Sequence, residues 1–339
     1  MTAKRYVLLV IVLSITFIAV VGAAGGIILD PYNVFHAEHI RPNLADPNSN
    51  YIKMYYITEN PDKFNAFLFG ASKVGSIHTE KITGEKCYNM TYASGLPSEH
   101  LDNIKTFLAN GVHIEKIYMG IDSDSYTSDS KAHINDPIRC PYEYLKAHPI
   151  HFVFLYMRPN VVLSSIPIFL RNFSSVNYAE SFYQHGAWAS YGQKGNVNLN
   201  AHNLKPSIGT DNLIDETLNV IKETKDLCFR NKIEFALFTN PVNKITYMAS
   251  LDRGHLRFLE GLAEITEFYN FGGLNDITLS NDSFIDFTHY KAEIGDMIIE
   301  VICNGKKYEG LYEQGFGWKV NKDNINEFLN LPEISCKEI

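Results

Sequence analysis

The hydrophobic pattern splits the chain into an apolar leader, a polar connector and an alternating body. Residues 6 to 29, "YVLLVIVLSITFIAVVGAAGGIIL", carry no formal charge over 24 positions. As a helix, that run is long enough to cross about 30 Å of hydrocarbon. Lys4 and Arg5 precede it, which predicts a cytoplasmic N-terminus and places everything from Asp30 onward outside. A cleaved secretory signal is the alternative, because "VGAAGG" offers small residues for cleavage. The run exceeds the usual signal core of about 7–15 residues, so an uncleaved anchor over 1–29 is expected. The next stretch, "DPYNVFHAEHIRPNLADPNSN", is rich in Pro and Asn and reads as loop. The connector is assigned to 30–63.

The body alternates strand and helix patterns. "NAFLFG", "CYNMTYA", "IEKIYMGID" and "IEFALFTNP" are short apolar runs closed by turn residues and read as strands. "PSEHLDNIKTFLANG" has Pro97 near its start, helical spacing of apolar residues and Gly111 at its end, a full helix signature. "NLIDETLNVIKETKDLCFRNK", "LRFLEGLAEITEFY" and "YKAEIGDMIIEVICNG" read as further helices, the last ending at Gly305. Strands separated by helices predict an α/β domain of three layers around a central parallel sheet. Its bounds are set at 64–305, with an insertion at about 140–210 and a tail at 306–339. Within the insertion, "HFVFLYMRPNVVLSSIPIFLRNF" (151–173) is long enough for a second span, but the Arg158-Pro159 pair at its middle makes a lipid-exposed span costly. Helices packed on the domain are the preferred reading, with a membrane- or partner-facing surface as the alternative.

Composition narrows the function. The chain is 45% hydrophobic and 13% aromatic with a formal charge of −8. Disorder is therefore not expected, and an acidic chain without a basic run is no nucleic-acid binder. Five cysteines (87, 140, 228, 303 and 336) show no C-x-x-C spacing and read mostly as small buried hydrophobes. His100, His113 and His133 are scattered without a metal-ligand spacing. No metal and no cofactor is expected.

Three residues carry the candidate chemistry. Ser72 follows the first strand in "FLFGASKVGS"; Asp286 and His289 stand three apart in "DFTHY", before the last helix. Active groups in open α/β sheets collect at the carboxyl ends of strands. A base beside a hydroxyl, with a carboxylate orienting the base, is the arrangement that activates a serine. A serine after a glycine at a strand end is by itself more often a cap or turn residue. The stretch is not the G-x-S-x-G elbow, since Val74 stands where the second glycine belongs. In "YQHGAWASYGQKG" (183–195), Trp188 and Tyr191 are candidates for stacking on a sugar face, His185 is a weaker site candidate, and an ordinary turn-rich insertion is the plainer reading. His78 reads as an exposed or capping histidine.

Taken together, these blocks resemble the SGNH (GDSL-type) hydrolase-like family, in its membrane-anchored form associated with cell-envelope polysaccharide or teichoic-acid O-acylation. "FLFGASKVGS" is similar to the family's first block and "DFTHY" to its fifth, while "CYNMTYASGLPSEHL" and "IYMGIDSDSY" resemble the middle blocks more loosely. The resemblance covers roughly 64–304. It implies Ser72 as nucleophile, Asp286 and His289 as its partners, and an oxyanion-hole amide from Gly95. The third block departs from the family, since Asp122 stands near its asparagine and a carboxylate repels an oxyanion. Asn240 in "TNPVN" is a substitute donor, and Asp122 a candidate for binding a sugar hydroxyl. The resemblance further implies acetyl or D-alanyl transfer onto a cell-surface polysaccharide or polyol polymer through an acyl-Ser72 intermediate. A multi-spanning membrane O-acyltransferase would be its partner. An esterase with the same triad and a non-catalytic glycan- or partner-binding module are the alternatives.

Overall fold

The computed structural model describes residues 3–39, 47–163, 184, 186 and 208–336. The chain forms two compact units, Met1–Tyr56 with His133–Glu180, and Ile57–Ala132 with Ser181–Ile339. Its longer helices are α1 (Ala3–Leu29), α2 (Ser49–Thr58), α3 (Pro97–Ala109), α4 (Pro149–Tyr156), α5 (Ile214–Arg230), α6 (Lys244–Leu251), α7 (His255–Ile265) and α8 (Ala292–Asn304).

The first unit gathers the leader, much of the connector and part of the expected insertion around one cluster. Tyr32, Val34, Cys140, Leu145, Phe152, Leu155, Tyr156 and Val161 are buried together. α1 is long and apolar enough to cross a membrane. The chain turns just beyond it at Asp30, whose carboxylate accepts from the Val34 amide (2.9 Å), the His36 amide (3.0 Å) and the Tyr156 hydroxyl (3.0 Å). Gly26 permits the contact between α1 and α4, because a Cβ there would lie 3.0 Å from the Tyr156 carbonyl oxygen.

The second unit is built on a six-stranded sheet in the order β2-β1-β3-β4-β5-β6. Its strands are β1 (Ala66–Gly70), β2 (Cys87–Asn89), β3 (Lys116–Ile121), β4 (Glu234–Thr239), β5 (Phe268–Asn270) and β6 (Trp318–Val320). The first five pair in parallel; β6 runs antiparallel to β5. β1 is buried along its whole length, as a strand covered on both faces should be. Phe67 and Phe69 meet Phe107 of α3, with ring centroids 5.0 and 6.2 Å apart. Ala66 and Leu68 pack in a cluster with Ile294, Ile298 and Ile299 of α8. α8 ends, as its sequence predicts, at Gly305 in the left-handed conformation (φ 63°).

Two strands depart from the sequence reading. The helix expected to run to Tyr269 stops at Ile265; Thr266 is extended, and Phe268–Asn270 joins the sheet. The stretch assigned as a tail supplies β6, so the sheet is mixed rather than wholly parallel. All five cysteines are free, and Cys87, Cys140 and Cys228 are buried.

Candidate active site

Ser72 sits where β1 leaves the sheet. The chain turns there into a short 3₁₀ segment, Ser72–Ser76. Two glycines make room for that turn. Gly70 and Gly120 are register partners on β1 and β3, and Val74 lies over both. A Cβ on Gly70 would meet Val74 at 2.8 Å, and one on Gly120 would meet it at 2.5 Å. The turn's backbone is secured from β2 and the loop after it. Buried Asn89 donates to the carbonyls of Val74 (2.8 Å) and Ile77 (3.3 Å), and the Thr91 hydroxyl donates to Ala71 (2.9 Å). The Ala71 and Val74 carbonyls also accept from the Val74 and Ile77 amides within the turn, at 3.2 and 3.1 Å, so the side chains reinforce a turn that is already hydrogen-bonded. Ala71, not Ser72, occupies the cap position, and no side chain caps the turn. The Ser72 hydroxyl is thus not consumed by capping.

His289 and Asp286 come from the loop entering α8. An antiparallel bridge between Phe284 and Tyr290 closes this loop, and the Ile285 amide donates to the His289 carbonyl at 2.8 Å. The Phe287 carbonyl accepts from the Asn243 amide (3.2 Å) and from the Thr246 hydroxyl (2.9 Å). Ser76 Oγ donates to the Tyr290 carbonyl at 3.1 Å, linking the Ser72 turn to the His289 loop. The spacing of three has a local cause. Asp286 Oδ1 folds back to accept from the Thr288 and His289 amides, both at 2.8 Å, an Asx-type turn that leaves Oδ2 facing the imidazole.

The three side chains form one continuous chain. Asp286 Oδ2 lies 2.6 Å from His289 Nδ1, and His289 Nε2 lies 2.7 Å from Ser72 Oγ. A carboxylate only accepts, so Nδ1 carries the proton and Nε2 accepts from the Ser72 hydroxyl. Burial works to raise the Asp286 pKa. The hydrogen bond and charge of His289, with the Thr288 and His289 amides, outweigh it and hold the carboxyl below the usual carboxylate range. Ser72 is partly exposed. Such an arrangement can raise the nucleophilicity of a hydroxyl while keeping it within reach of a substrate.

A second, buried path joins the neighbours of the same two residues. Lys73 Nζ contacts Asp124 Oδ2 at 2.5 Å and Asp122 Oδ1 at 3.1 Å. Asp122 also accepts from the Asp124 amide (2.9 Å) and, at 3.5 Å, from Asn240 Nδ2. The Tyr290 hydroxyl donates to Asn240 Oδ1 at 3.1 Å. The path therefore runs from Lys73, beside Ser72, through Asp122 and Asn240 to Tyr290, beside His289. Burial pulls the Lys73 pKa down, but Asp122 and Asp124 more than reverse this and keep it a cation. For Asp124, burial pushes the carboxyl up against the opposing pull of Lys73.

The sequence-derived residues fall into three groups. Ser72, Asp286 and His289 meet. Asp122 and Asn240 follow adjacent strands β3 and β4 at the same sheet edge, but both are turned inward. The Asp122 side chain is 3% exposed and committed to Lys73, so it is not the outward hydroxyl-binding group anticipated. Asn240 uses its amide hydrogens on the Ile121 carbonyl (3.4 Å) and Asp122, a geometry that serves the buried path rather than an oxyanion. Gly95 packs near the Gly70 carbonyl, and its amide donates to the Tyr92 carbonyl at 3.4 Å. Trp188, Tyr191 and His185 lie outside the described residues. His78 occupies a cap position and pairs with Asp296 at 3.1 Å. Sequence reasoning missed Lys73, Asn89, Asp124 and Tyr290. The available signal was a lysine and an acidic pair, "DSD", each set directly after an apolar strand, where an unpaired charge would be expensive.

Among the described residues no group of three or more His, Cys, Asp or Glu side chains could hold a metal ion. No protein-family model, curated protein or solved structure matches this chain.

Proposed function

We propose that this protein is a membrane-anchored serine acyltransferase with a three-layer, SGNH-like α/β domain lying outside the cytoplasm. The observation that carries the reading is the unbroken hydrogen-bond chain Ser72–His289–Asp286, at 2.7 and 2.6 Å. Ser72 Oγ attacks the carbonyl carbon of an acyl donor while His289 Nε2 takes its proton. The donor's leaving group departs with that proton, and the acyl group remains as an ester on Ser72. An acceptor hydroxyl then gives its proton to His289 and attacks the ester; the proton returns to Ser72 Oγ as the product leaves. Asp286 stabilises the imidazolium formed in each half.

Charge supports a neutral or cationic acyl group, such as acetyl or D-alanyl. Asp286 pairs with the base that contacts the nucleophile, and Lys73, the lysine next to Ser72 in the chain, is already shared by Asp122 and Asp124. An anionic acyl group would meet repulsion without a free cation close to Ser72 among these groups. The resemblance to anchored O-acylation proteins points to a sugar or polyol hydroxyl on a surface polymer as acceptor, with a multi-spanning membrane acyltransferase delivering the acyl group.

The test is covalent labelling of the purified full-length protein. A fluorophosphonate probe should label wild-type protein and not Ser72→Ala. Incubation with a small activated acetate ester should leave an acyl group on the peptide containing Ser72, with slow release to water. Equal labelling of both proteins would refute the nucleophile, and rapid steady hydrolysis would assign an esterase instead.

A further inference from the structure

The α4 helix is apolar on two sides. Phe152, Leu155 and Tyr156 fill the interior of the first unit. Ile150 and Phe154, one turn apart, face away from it at 73% and 60% exposure, with Val153 and Met157 half-buried alongside. Leu163, just beyond the helix, is 65% exposed. A helix that is hydrophobic all round belongs in a non-aqueous setting, and water is a poor neighbour for a group of large side chains at these exposures.

What covers this side is indicated by α1. The end of α4 is fastened to the end of α1: Tyr156 donates to Asp30, the first residue beyond α1, and Gly26 of α1 packs under the Tyr156 carbonyl. Val162 packs against Gly22 of α1 as well. Asp30 is the first formal charge after 24 uncharged residues, so it marks the level at which α1 leaves the hydrocarbon. The apolar side of α4 is therefore held at the depth of the bilayer boundary. Lys146 and Arg158, both exposed, flank it and suit a headgroup layer.

We propose that Ile150, Phe154 and Leu163 sit in the lipid leaflet on the Asp30 side of the membrane that α1 crosses. α4 is then a second, interfacial attachment rather than a second span, and it seats the first unit on the bilayer. This inference rests on α1 crossing the membrane and is independent of the chemistry at Ser72.

The experiment uses full-length protein in vesicles of phosphatidylcholine and phosphatidylglycerol. Ile150→Cys, Phe154→Cys and Leu163→Cys are each labelled with an environment-sensitive fluorophore. Leu13→Cys, in the middle of α1, is the reference for hydrocarbon, and unsubstituted protein gives the background from the five native thiols. Labels at 150, 154 and 163 should be shielded from iodide and lose about half their emission to lipids carrying a nitroxide near the headgroup end of the chain. Leu163, outside the helix, keeps the test decisive if a change within α4 disturbs folding. Iodide quenching without lipid quenching overturns the proposal. So does a dry label without lipid quenching, which would assign the surface to a protein partner or a second copy.

Discussion

Two paths connect the β1 turn to the loop before α8, and they are built differently. The first runs directly from Ser72 to His289, is open to solvent at the serine, and relies on a single carboxylate, Asp286. The second runs through Lys73, Asp122, Asn240 and Tyr290, is buried, and reaches no substrate. Ser72 and Lys73 are adjacent, as are His289 and Tyr290, so in the proposed reaction each pair of neighbours divides its work between chemistry and support. The difference teaches that the acidic residues near the nucleophile are not equivalent. Asp286 orients a base, whereas Asp122 and Asp124 neutralise a lysine that fixes the turn.

Breaking the direct path should give the largest effect. Ser72→Ala or His289→Ala is expected to lower the rate of acyl transfer by about 10⁴-fold or more, with thermal unfolding nearly unchanged; single-turnover acylation measures it. Asp286→Asn should cost about 10⁴-fold, because the amide no longer selects the tautomer with Nδ1–H, again with little loss of fold stability.

Breaking the buried path should reverse that pattern. Lys73→Met leaves buried Asp122 and half-buried Asp124 without their cation, and is expected to destabilise the second unit by about 3 kcal/mol in denaturant titrations. Restoring charge balance with Asp122→Asn and Asp124→Asn in the same protein should recover much of that loss. A triple variant as unstable as Lys73→Met alone would break the distinction between the two paths.

Acid provides a milder probe, through a histidine outside both. His255 is buried, its Nδ1 lies 3.1 Å from the Tyr126 hydroxyl, and burial pulls its pKa down to about 4. Its folded pKa is lower than its unfolded one, so the unfolded chain binds the extra proton first. Stability is full above the unfolded value of about 6.5 and falls as pH drops towards 4, by up to about 3 kcal/mol. His255→Phe should flatten that slope in pH-dependent unfolding without changing the labelling of Ser72 at neutral pH. The smallest expected effect is at the link between turn and loop. Ser76→Ala removes one bond to the Tyr290 carbonyl and should cost about 1 kcal/mol, with a modest fall in acylation rate.

The direct path was legible in the sequence and the buried one was not. A glycine and serine after an apolar strand, and an Asp and His three apart before a helix, are local patterns that each have a physical cause within a few residues. Lys73, Asp122, Asn240 and Tyr290 come from four separate segments, and only the fold shows that their charges and hydrogen bonds meet. Four strands and the helices α3, α5, α7 and α8 were equally readable from period and end signals, whereas α2 lies in the stretch assigned to the connector and α6 carried no such signal. β5 and β6 were not: Phe268 satisfies the helical pattern of α7 as well as the strand, and β6 is three residues with charged Lys319 at its centre. The 3₁₀ form of the turn at Ser72 was not legible, since bonds from Asn89 and Thr91, elsewhere in the chain, help to secure it.

The paired glycines beneath Val74 carry a consequence for how this protein tolerates change. Gly70 and Gly120 bring no side chain to the site, yet together they leave the room in which Val74, two residues beyond Ser72, is seated. A methyl group at either position would lift Val74 and carry Ser72 with it, lengthening a 2.7 Å contact that proton transfer needs short. On the proposed function, sequence drift at these two positions would silence the protein while leaving Ser72, His289 and Asp286 in place.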